Sequence, residues 1–258
     1  MTHPANTPLV PIFSPEGFQA FTGAHAIVAA VCVALIVGSV VLGRRWRDTP
    51  KEKRLRFIWI WTTILWQTGA VVWWLLPANF DPTSSLPIHL CDLAAWLAPI
   101  TLWTQHRMLR PLLYFWGVGL STQAFVTPVL TQGYEHAEFW MFWIGHLQIV
   151  GSAVYDAAVL GYRPTFAHWW RVGIFNIAFA ALMVLMNEII VPACFACGGT
   201  NYWYVGRMLP ESKTLLNALG PWPGRVFWLM LLAETAQLIA WIPWGIAAAI
   251  QRRRAPSR

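Results

Sequence analysis

Within LPIHLCDL, at Leu86–Leu93, an imidazole, a thiol and a carboxylate fall inside four residues: His89, Cys91 and Asp92. A thiol in the first turn of a helix meets unpaired N–H groups, whose positive potential favours the thiolate. An imidazole that accepts its proton would make Cys91 an activated nucleophile for acyl chemistry. Helical geometry selects among the imidazoles. His89 and Cys91 are two residues apart and diverge, whereas His89 and Asp92 share a face. His146, from a later apolar block, is therefore the better base, with His89 orienting or stabilising an oxyanion.

The elements that position these groups follow from composition. Of 258 residues, 57% are hydrophobic and 11% charged, with 18 Trp; a soluble domain carries roughly 25% charged residues. Trp favours membrane interfaces. The net charge of +7 does not point to nucleic acid, because the basic residues sit in short segments between long apolar blocks. The first Lys or Arg is Arg44, so the opening block lacks the basic start of a secretion signal and reads as a span.

Measured against the roughly 20 apolar residues needed to cross a bilayer, the chain gives seven blocks. They are Phe21–Leu42, Phe57–Leu76, Leu86–Trp103, Pro111–Leu130, Phe139–Leu160, Val172–Val191 and Arg225–Ile250. Runs of this length pair their backbone inside lipid only as helices. The expected fold is all-α: one membrane-embedded domain, 1–258, forming a polytopic seven-transmembrane-helix bundle. Fifteen of the 18 Lys and Arg fall in alternate connections and the C-terminal tail. The positive-inside bias puts that side in the cytoplasm, with the N-terminus outside and the C-terminus cytoplasmic. The long outer segment from Pro192 to Gly224, rich in aromatics, is expected to fold over the bundle.

This topology orders the ionisable groups by depth. Ser84 or Ser85 is expected to cap the third helix, with Pro87 in its first turn, so that His89, Cys91 and Asp92 lie near the outer face. His146 sits about two turns below the outer end of the fifth helix, and Asn187 and Glu188 lie near the exit of the sixth. Glu234 falls near the midplane and Asp156 nearer the cytoplasm. Intramembrane ionisable groups are expensive and point to function. Plainer readings stand beside this one: Cys91 and Cys32 as packed thiols, His146 as an interhelical hydrogen bonder, the acids as paired bundle groups. Cys194 and Cys197 form a lone CxxC, read as a disulfide or an incidental pair. A zinc site would need two further ligands, so no metal or cofactor is expected.

LPIHLCDL also belongs to a larger pattern. It is followed by TPVL at Thr127–Leu130, then by the helix with Gly145–His146, then by GTNYWYV at Gly199–Val205 and LLNALGPWPG at Leu215–Gly224. In order and spacing these motifs resemble the YwaF family of bacterial integral membrane proteins, related to vertebrate transmembrane protein 164. The match runs across helices three to seven, about two-thirds of the chain. That resemblance implies a lipid acyltransferase in which Cys91 carries the acyl group as a thioester and His146 shuttles the proton. His89 and Asn201 would have supporting roles. The substrate-binding candidates are then Asn201, Tyr202, Asp92, Asn187 and Glu188. The GlyGly before Thr200, with CxxC upstream, departs from the family pattern.

The expected function is an intramembrane lipid acyltransferase or lipid hydrolase in a bacterial cytoplasmic (inner) membrane. Its partners would be a membrane phospholipid or lysophospholipid and the bilayer, not nucleic acid. The rival is a proton- or ion-coupled transporter or channel working through Asp156, Glu188, Glu234 and the histidines.

Overall fold

A computed structural model describes residues 13–193, 199–209 and 215–254. Cys194 and Cys197 lie outside the described residues. The described residues form seven α-helices and no strands: α1 (Gly23–Arg45), α2 (Pro50–Leu75), α3 (Leu90–Thr104), α4 (Leu109–Tyr114), α5 (Ala137–Ala158), α6 (Phe166–Ala193) and α7 (Gly224–Arg254). α1, α6 and α7 are long and apolar enough to cross a membrane. Their outward faces carry Val31, Leu35 and Val37, then Ile174, Ile177 and Leu185, then Phe227, Leu231 and Ile239, all more than 45% exposed. Polar Asn176, Asn187 and Gln237 are turned inward. Apolar outside and polar inside suits lipid as the surrounding solvent.

Several helices run past the apolar blocks. α2 starts at Pro50, whose fixed φ and missing N–H suit the first helical position. The basic stretch Lys51–Arg56 is thus helical rather than a loop. α3 is the reverse case. It starts four residues later than the block suggested, and its 15 residues span only about 22 Å against about 30 Å of hydrocarbon.

The fourth block, Pro111–Leu130, is not one regular helix. α4 passes into a π-helical stretch, Phe115–Leu120, and a 3₁₀ stretch, Ser121–Phe125, and the chain is extended by Pro128. Close approach explains the change of pitch. A Cβ on Gly117 would come 2.5 Å from the Ala153 Cβ, and one on Gly119 2.9 Å from the Gln237 side chain. Both glycines let this segment lie tightly against α5 and α7, and π-turns recur at functional sites.

α5 is central, packed against α1, α2, α3 and α4. His146, Ile149, Val150 and Ala153 make one buried face at helical spacing. Its C-terminal carbonyls are held by arginines. Arg44 and Arg47 donate to the Ala158 carbonyl (3.1 and 3.0 Å), Arg163 to Ala157 (2.8 Å) and Arg110 to Leu160 (3.2 Å). Such groups would otherwise be orphaned, and cations there also complement the helix dipole.

Candidate functional site

α3 begins with a reciprocal cap. The His89 N–H donates to Asp92 Oδ2 at 3.1 Å, in a box that makes His89 the N-cap residue and Asp92 the third helical position. The expected serine cap is therefore corrected. Ser85 turns back instead, its hydroxyl accepting from the Asp81 N–H at 2.8 Å, and Leu86–Ile88 form a tight turn. Cys91 becomes the second residue of the helix, among N–H groups that have no intrahelical partner.

Just above α3 lies a cavity of about 550 Å³, walled by α2, α3, the π/3₁₀ segment, α5, α7 and the outer loop. Its walls are mainly apolar, with polar residues among them that include His89, Cys91, Asp92, Ser121, Thr127, His146 and Tyr204. His89, Cys91, Asp92 and His146, from two helices far apart in sequence, thus share one chamber.

The His146 ring shows which nitrogen is free. Nδ1 lies 2.7 Å from the Phe142 carbonyl, which only accepts, so Nδ1 carries the proton. Nε2 is then the unprotonated nitrogen, and among the described residues it has no hydrogen-bond partner. The Phe142 ring, with its centroid 4.3 Å from that of the imidazole, fixes its plane. Beside Cys91 lies the Ser121 hydroxyl. The two are neighbours, but their geometry falls short of a hydrogen bond: buried Ser121 Oγ has no partner among the described residues.

The remaining candidates lie outside the cavity wall. Asn187 ties down the outer loop, its Nδ2 donating to the Met183 and Tyr202 carbonyls (2.8 and 3.0 Å) and its Oδ1 accepting from the Tyr202 N–H (2.8 Å). Asn201 Oδ1 accepts from the Gly206 N–H at 3.0 Å. Tyr202 is fully buried; its hydroxyl donates to the Pro82 carbonyl (2.8 Å) and accepts from the Leu86 N–H (3.2 Å). Its ring also flanks that of His89, centroid to centroid 4.9 Å. Glu188 pairs with Arg207 at 2.7 Å on the exposed rim. These four residues engage the loop and its rim rather than the chamber. Asn187→Leu strands the buried Tyr202 N–H and leaves the Tyr202 carbonyl only the Val205 N–H at 3.4 Å; a buried group left unpaired costs about 1–3 kcal/mol. It is expected to lower stability by about 2–4 kcal/mol, read as a lower midpoint of thermal unfolding in detergent.

Tyr204 and Ser121 were not singled out by sequence. The loop that delivers Tyr204 is clamped on both sides. The Trp203 indole donates to the Ile88 carbonyl at 2.8 Å, and Arg225, 2% exposed, donates to the Gly206 and Met208 carbonyls at 2.6 and 2.9 Å. Between these clamps Trp203 and Tyr204 both adopt positive φ, 61° and 60°. Two consecutive non-glycine residues there are strained, which surrounding structure must enforce. The only advance signal was the density of aromatics in NYWY.

The fold and the chamber together define an all-helical membrane protein with a mainly apolar internal cavity and a thiol–imidazole cluster at its wall. The chain belongs to the TMEM164 family, whose profile matches residues 20–244. No curated protein and no solved structure matches it.

Proposed function

We propose that the protein transfers or hydrolyses the acyl group of a membrane lipid, with Cys91 as nucleophile and His146 as base. One observation carries the reading: Cys91 and His146 line the same mainly apolar chamber, and His146 Nε2 is the ring nitrogen left without a partner among the described residues. A cavity of about 550 Å³ with mainly apolar walls suits a fatty chain, and Cys91, Ser121, His146 and Tyr204 among its polar groups could meet an ester carbonyl.

The chemistry balances with these groups alone. Cys91 Sγ bonds to the ester carbonyl carbon while its proton passes to His146 Nε2. The resulting oxyanion collapses, the ester C–O bond breaks, and the departing lysolipid oxygen takes the proton from Nε2. The thioester left on Cys91 is then attacked by water or a lysolipid hydroxyl, which gives its proton to Nε2. Cys91 leaves as thiol. Proton relays of this kind contribute roughly 10²–10⁴-fold.

The orientation with the N-terminus outside belongs to the same proposal and rests on the distribution of Lys and Arg, and the bacterial cytoplasmic membrane rests on the resemblance to the YwaF family. The acids on which an ion path would depend are engaged elsewhere: Asp156 with Arg110, Glu188 with Arg207, and Glu234 with the Asn176 amide at 3.0 Å.

Incubation with a phospholipid bearing an alkyne-tagged fatty acyl chain tests the reading. The tag is expected on the protein after acid quench, removable by neutral hydroxylamine as a thioester is. Tag retained at wild-type level in Cys91→Ala would sink the assignment.

A further inference from the structure

The chamber wall carries three hydroxyls without a hydrogen-bond partner among the described residues, those of Ser121, Thr127 and Tyr204, and two of them, Ser121 and Tyr204, lie beside Cys91. Tyr204 reaches the cavity wall on the strained turn described above, and its Oη has no hydrogen-bond partner among the described residues. Its ring lies 6.0 Å from that of His89, over the start of α3. Ser121 Oγ, buried beside the Cys91 thiol, is likewise unpaired among the described residues. Polar groups in an apolar chamber are ordinarily paired, so the two unpaired hydroxyls that adjoin the nucleophile call for a physical role.

We propose that Tyr204 Oη and Ser121 Oγ form the oxyanion hole, donating to the carbonyl oxygen as it gains charge. This rests on the acyl-transfer reading and extends it. Donors left unpaired in the resting site lose no hydrogen bond when the oxyanion forms, which is the condition for preorganised stabilisation. Burial pushes the Tyr204 phenol above its ordinary range, and the neighbouring Cys91 and Asp92 act in the same sense, so it stays protonated and able to donate. Asn201 lies outside the cavity wall, and the His89 N–H is tied into the helix cap.

A long-chain trifluoromethyl ketone separates this role from simple packing. Cys91 Sγ adds to its carbonyl carbon, the C=O π pair moves onto oxygen, and the thiol proton passes to His146 Nε2. The adduct therefore carries the oxyanion without a leaving group. An ether-linked lysolipid, which has no carbonyl, reports ground-state binding. Tyr204→Phe and Ser121→Ala are each expected to weaken the ketone about 100-fold or more and to lower kcat by about 10²–10³. Affinity for the ether lipid and the rate of Cys91 alkylation by iodoacetamide should stay within threefold of wild type. Ketone affinity within threefold of wild type overturns the proposal. So does a parallel loss of ether-lipid affinity or alkylation rate, which would make these residues supports of the pocket or the thiol. Failure of the underlying reading has a different signature, ketone binding and turnover that persist in Cys91→Ala.

Discussion

His146→Gln should slow acyl transfer by about 10³-fold, within the range that general base catalysis commands. Glutamine retains an N–H for the Phe142 carbonyl, which His146 Nδ1 holds at 2.7 Å, but offers no basic nitrogen in place of Nε2. Packing beside Phe142 and Ile149 is largely kept, so folding and binding of an ether lipid should survive. Alkylation of Cys91 by iodoacetamide should slow in step with turnover, because both need the thiol proton removed. In this the variant differs from Tyr204→Phe, which is expected to spare alkylation. Turnover of His146→Gln within threefold of wild type would remove His146 as base.

The other large effect concerns stability. Asp156, 1% exposed, accepts from Arg110 Nε at 2.9 Å and lies 2.9 Å from its Nη2. Removing one partner of a buried pair leaves an uncompensated charge, at a cost of about 3–5 kcal/mol. Arg110→Leu is expected to reach that range, since it also strands the Leu160 carbonyl. The double variant Arg110→Leu with Asp156→Leu should recover most of the loss, because the lone carboxylate is gone. Thermal unfolding in detergent measures both, and equal losses in the single and double variants would contradict the pairing account. Acyl transfer by the double variant, assayed below its unfolding temperature, should persist, whereas a proton path through Asp156 would be abolished.

Hydropathy located most of the helices but was blind to pitch. α1, α5 and α6 lie close to the blocks at Phe21–Leu42, Phe139–Leu160 and Val172–Val191, because block length reports how much chain lipid must cover. The block at Pro111–Leu130 looked like one more span. Its π and 3₁₀ stretches depend on how closely Gly117 and Gly119 approach α5 and α7, a tertiary fact absent from hydropathy. The cap of α3 was misplaced for a local reason: Pro87 fits either a first helical turn or the turn before it, and the reciprocal bond between His89 and Asp92 decides for the second.

The site divided along similar lines. The cost of ionisable groups in lipid drew attention to His89, Cys91, Asp92 and His146, and these do share a chamber. Depth alone also selected Asn187 and Glu188, yet depth is one coordinate, and the direction round the helix axis is another. Asn187 faces the loop, and Glu188, about 100° further round, faces the rim. Tyr204 was illegible because one tyrosine in a loop dense with aromatics carries no signal of its own. Its placement is made by clamps from Ile88 and Arg225, which are distant in sequence.

The four guanidiniums on the last carbonyls of α5 and on Leu160 just beyond it also bear on how the molecule yields to force. With that end fastened to α1, α4 and the segment after α5, the helix can neither slide nor turn there. Compliance is left to the opposite end, around Gly145, where nothing lies within 4 Å of the place a side chain would begin. On the acyl-transfer reading, room for chains of different girth lies beside the upper half of α5, above a base that the arginines hold fixed.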